Sequence, residues 1–70
     1  MAESGFAAIQ RSQIEITIGE LLLSSDYYMR ESIVERLRHM IAHADPSLDI
    51  SKLSEAAREE LVEVGLLPEQ

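Results

Sequence analysis

His39 and His43 stand four residues apart, the spacing at which two imidazoles on one helix can face a single metal ion. Met40, Ile41 and Ala42 separate them, so the glutamate of a metalloprotease helix is missing, and a third ligand has to come from Asp45 or another chain. The pair reads as surface or interface histidines, with no metal expected. Ser24, Ser25, Ser47, Ser51 and Ser54 fall near helix ends or turns, where a hydroxyl caps a free amide. Neither they nor Ser32 has the Gly-x-Ser-x-Gly context of a strained nucleophile. Carboxylates are plentiful, but a short helical chain offers no evident pocket in which to desolvate one and shift its pKa. The residue types therefore predict no catalytic centre and no cofactor.

Two groups suit binding instead. Tyr27 and Tyr28 open the second helix, where a ring can anchor a protein contact or pack beside Leu23. Glu55, Glu59, Glu60 and Glu63 cluster on the outer side of the third helix, with Arg58 the nearest neutralising charge. Such a face is either solvated or complementary to a basic surface on another protein. These six are the candidate partner-binding residues.

Composition narrows the classes. Thirteen acidic residues against six basic ones give a net charge of −7, the wrong sign for holding a phosphate backbone, so nucleic-acid binding is not expected. The imbalance sits late in the chain: residues 1–44 carry six acids and four bases, net −2, and residues 45–70 seven acids and two bases, net −5. No apolar run approaches the ~20 residues of a membrane span, no basic leader precedes a hydrophobic stretch, and Ala2 excludes N-myristoylation. The expectation is a soluble, unprocessed, cytoplasmic chain. Absent cysteine fits a reducing compartment.

Seventy residues make one domain. A chain of this size usually needs a staple, and without cysteine to form disulfides or thiolate metal sites, oligomerisation remains. The expected fold is all-α, a helical hairpin of about residues 6–24 and 27–44 plus a short C-terminal helix of about residues 50–64. Residues 1–5 and 66–70 are expected to be loose. Ser4 is a candidate N-cap, Asp45-Pro46 ends the second helix, and Gly65 suits the left-handed position after the third, with Leu66 folding back on Leu61. The second helix repeats Met29, Ile33, Leu37, Met40, Ile41 and Ala44 at steps of three and four. Gln13 to Ile18 alternates like a strand, which raises a ribbon-helix-helix DNA-binding regulator as the alternative, its reading residues Gln13, Glu15 and Thr17. The helical flanks and the acidic charge favour a helix there.

The first helix is apolar on two sides. At ~100° per residue Ile14, Ile18, Leu21 and Leu22 gather on one side, with Ile9, Ile16 and Leu23 opposite. A hairpin partner covers only one of them. Ile9, Ile16 and Leu23 are therefore the expected homodimer interface, and Gly19 inside the same helix costs ~1 kcal/mol relative to alanine unless it permits close packing. Taken together the residues predict a non-catalytic regulatory or adaptor protein, a homodimer that binds and modulates a larger protein with a basic surface, such as an inhibitor or anti-activator of a transcription factor or of a host enzyme. A structural subunit of a larger assembly is a further alternative.

Overall fold

Ser4 starts the first helix: its hydroxyl accepts from the Ala7 amide at 3.0 Å, satisfying one of the free donors of the first turn. The computed structural model describes residues 2–68. Helix α1 spans Gly5–Leu23, and α2 spans Tyr27–Ala42 behind an Asp26 cap whose carboxylate accepts from the Met29 amide. A 3₁₀ turn covers Ile50–Lys52, and α3 covers Glu55–Glu63. The fold is all-helical, with no strand among the described residues. Residues 13–18 are α-helical, so the ribbon of the alternative reading has no element to form from.

Ile14, Ile18 and Leu21 of α1 meet Ile33 and Leu37 of α2 and Leu53, Ala57 and Leu61 of the C-terminal segment in one core. Val34, Met40, Ile41, Leu48 and Ile50 pack around it. Contacts Arg30 to Leu21 and Asp45 to Gln10 fix α1 and α2 as an antiparallel pair. Helix α3 runs alongside α1 in the same direction, tied at its start to Glu15 and at its end, through Arg30, to the last turn of α1.

Two expected boundaries move. Helix α2 ends at Ala42 rather than residue 44, with His43 as its cap. The expected third helix is broken, because Ser54 is extended (φ −61°, ψ 156°). Its N–H and Oγ both donate to the Glu15 carboxylate, at 2.9 and 2.7 Å, while Oγ accepts from the Ala57 amide. The helix stops as expected. Gly65 takes φ +81°, its amide donates to the Val62 carbonyl and the Leu66 amide to the Leu61 carbonyl, the paired bonds of a Schellman end.

Two apolar assignments are corrected. Leu22 is half exposed, since Ala7, Ile14, Thr17, Ile18 and Leu21 fill an arc of ~100° and Leu22 lies ~40° beyond it. Met29, expected on the buried face of α2, sits in its first turn at the exposed hairpin tip. Thr17 is buried inside α1 because its hydroxyl donates to the Gln13 carbonyl at 2.8 Å.

The leader is tied down instead of loose. The Glu3 side chain is only 4% exposed and accepts from Arg11 Nε and from the Asp49 amide, with Lys52 Nζ at 4.0 Å. The Asp49 amide first, then Arg11 and Lys52, hold its carboxyl below the ordinary value. Ser47 and Ser51 lower Asp45 and Asp49 in the same way, each donating a hydroxyl and an amide to the carboxylate two residues earlier. Leu66 and Leu67, also expected to be loose, pack against the core. Met1, Glu69 and Gln70, part of the same expectation, lie outside the described residues.

Candidate functional site

Helix α1 leaves one side bare. Ile9 is 57% exposed, Ile16 66% and Leu23 89%, and these are the residues that the spacing placed opposite the core. The face extends further than the three. Phe6 is exposed near the start of α1, and Leu22, Tyr27, Tyr28 and Met29 are exposed around the hairpin tip. Tyr27 and Tyr28 meet edge to face, with ring centroids 5.5 Å apart. The exposed large apolar side chains among the described residues all fall between residues 6 and 29, on α1 and the tip it leads into. Isolated apolar residues on a surface need no explanation, but a run concentrated on one helix and one turn does.

A second feature lies on the C-terminal segment. An open cleft of about 910 Å³ has Ile50, Val62, Leu67 and Pro68 as its apolar lining and Glu55, Glu59 and Glu63 as carboxylates around it. Arg58 is the one cation among its lining residues. Successive turns of α3 place the three glutamates along one face, since their spacing is four.

Glu60 does not join them. Its side chain is 13% exposed and accepts from Arg30 Nη2 at 3.0 Å, so the expectation of an outward Glu60 is corrected. The reason is tertiary: Arg30 Nη1 is already anchored on the Leu21 carbonyl at 2.8 Å and the Ser24 carbonyl at 3.4 Å, which aims the guanidinium at α3. Nor do the tyrosines belong to this cleft, because none of its lining residues comes from the tip. The six candidates thus separate into a cleft (Glu55, Glu59, Glu63), a tip (Tyr27, Tyr28) and an inward ion pair (Glu60). The apolar lining of the cleft went unread because Ile50, Val62 and Leu67 belong to three different local structures.

His39 and His43 are exposed and their rings stack at 5.9 Å. No group of three or more His, Asp or Glu side chains is gathered for a metal among the described residues. No helix among them is long and apolar enough to cross a membrane. The chain matches no protein-family model, no curated protein and no solved structure.

Proposed function

We propose that the chain is a non-catalytic adaptor or regulatory protein, a homodimer through the outer face of α1 that docks a basic amphipathic segment of a larger protein on the cleft beside α3. The observation that carries this reading is the confinement of the exposed large apolar side chains to residues 6–29. That surface favours association, since each Å² of apolar area removed from water contributes roughly 25 cal/mol. The cleft supplies the chemistry of the second partner. Its apolar lining suits leucine-like side chains, and Glu55, Glu59 and Glu63 attract lysine or arginine at the edge and orient the segment. An inhibitor or anti-activator that covers a basic surface of its target is the regulatory role this arrangement fits.

A fluorescent synthetic helix with leucine on one face and lysine and arginine on the other tests the cleft by anisotropy. Binding is expected to weaken with salt, because screening acts over ~8–10 Å near physiological ionic strength. The double change Glu59→Lys, Glu63→Lys is expected to leave the helical circular dichroism unchanged, both residues being exposed. It is expected to weaken the peptide roughly tenfold, each exposed pair being worth ~0.2–1 kcal/mol and reversal costing more than removal. If the double variant binds as the parent does, α3 is a solvated face and the Tyr27–Tyr28 tip becomes the site.

A further inference from the structure

We infer that a second copy covers α1 by packing its own α1 antiparallel along the whole helix, each large side chain of the outer stripe seating against a small residue of the other copy. The inference rests on the homodimer reading above and gives it a register. Read at steps of three and four, the bare side of α1 runs Gly5, Ile9, Ser12, Ile16, Gly19, Leu23, so small and large residues alternate. When two such helices lie antiparallel with their ends aligned, Gly5 faces the partner's Leu23, Ile9 faces the partner's Gly19, and Ser12 faces the partner's Ile16. The three matches repeat by symmetry. Every large residue of the stripe meets a gap.

The glycines support this independently. Gly65 needs its positive φ to end α3. Gly5 and Gly19 have no such need, and a Cβ added at either would meet nothing within 4 Å. Gly19 therefore weakens the middle of α1 with no return inside its own chain. A close helix approach at that point supplies one.

Area and charge favour the same arrangement. Taking roughly 60–120 Å² for a buried aliphatic side chain and 150–250 Å² for an aromatic one, the eight exposed residues from Phe6 to Met29 offer about 500–900 Å² per copy, a range that includes the ~800 Å² per partner of a standard interface. Aligned antiparallel ends also bring Phe6 of each copy to the level of the other's Leu22 and tip. In a parallel pair Ile9 would meet Ile9 and Gly19 would meet Gly19, leaving a void. Glu15 would also approach the partner's Glu20 along both edges. The antiparallel pair brings only the two Glu15 side chains near each other, and each is already held by Ser54. The other apolar surface among the described residues is the cleft beside α3, whose edge carries Glu55, Glu59 and Glu63 and so suits a basic segment better than this uncharged stripe, which favours a closed two-fold pair over an open head-to-tail chain.

The absence of cysteine makes single-cysteine spin labels clean reporters. Gln13→Cys and Glu20→Cys lie on one exposed flank of the stripe. With a rise of 1.5 Å per residue and helix axes 8–10 Å apart, backbone separations between copies are expected near ~10 Å at residue 13 and ~20 Å at residue 20 in the antiparallel pair. A parallel pair gives equal separations at the two sites. Gly19→Ala is the second variant: it is expected to raise the stability of the dilute chain while weakening the dimer about tenfold or more, because overpacking a seam is costly on both copies. Light scattering of the parent separates the failures. A folded monomer at millimolar concentration overturns the homodimer and this register together. A dimer with equal label separations, or one that Gly19→Ala leaves intact, overturns the register alone.

Discussion

Replacing Ile16 by aspartate puts a charge at the middle of the bare side of α1 without touching the core. Ile16 is two-thirds exposed in the single chain. Substitutions at such positions usually cost within ~0.5 kcal/mol, so the variant is expected to keep its helical circular dichroism and thermal midpoint when dilute. Association is a different matter. Full burial of an isoleucine contributes about 1.5–3 kcal/mol, so the exposed two-thirds of Ile16 is worth about 1–2 kcal/mol per copy and about 2–4 kcal/mol over a symmetric pair. That raises the dimer Kd about 30- to 1000-fold before the cost of desolvating the carboxylates is added. Sedimentation equilibrium over a concentration series reads the Kd directly, and the neutral Ile16→Ser change separates lost apolar area from added charge. An Ile16→Asp chain that dimerises within threefold of the parent refutes the assignment of this face. A variant that unfolds at low concentration refutes the claim that Ile16 plays no part in the monomer core.

Two further outcomes follow from the polar ties. Glu3 is held below its ordinary value of 4.5, so its contribution to stability is full above that pH and is lost as pH falls through the lower folded value. Asp45 and Asp49 act likewise below their ordinary 3.8. Glu3→Gln is therefore expected to lower the Tm at pH 7 and to converge on the parent only as the pH falls through the lowered folded value of Glu3, and a difference independent of pH would remove the charge from the explanation. Arg30→Met keeps the apolar stem but deletes the bonds to Leu21, Ser24 and Glu60. Hydrogen bonds to charged groups are worth about 1.5–3 kcal/mol, which corresponds to a Tm lower by roughly 10 °C in a domain of this size, measured by thermal melts; an unchanged Tm would mean that the guanidinium is solvated.

The hairpin was readable because Ile33, Leu37, Met40 and Ile41 recur at helical spacing and because Ile14, Ile18 and Leu21 do the same. The bare stripe was readable for the same geometric reason: Ile9, Ile16 and Leu23 lie half a turn from the core whatever covers them. Leu22 and Met29 were misplaced because periodicity says which side a residue faces and not where the covering helix stops. Ser54 broke the third helix through a partner 39 residues away, and Glu60 turned inward toward a partner 30 residues away. Neither distance leaves a trace in local spacing. Glu3 is the same case, since three of its neighbours come from residues 11, 49 and 52.

Arg30 also sets an order of assembly. Its guanidinium reaches back nine residues to Leu21 and forward 30 to Glu60. Loop-closure entropy makes the longer link costlier by about 1 kcal/mol, and the longer link needs a guanidinium that the hairpin has already aimed. The hairpin is therefore expected to form first, with α3 docking onto a finished edge. The reverse holds for opening: α3, nine residues long and fastened mainly by Ala57, Leu61 and its two polar ties, is the unit that releases while α1 and α2 remain paired. In native-state hydrogen exchange, its amides are expected to exchange by partial opening, and those of Ile18, Leu21 and Leu37 only when the whole chain unfolds.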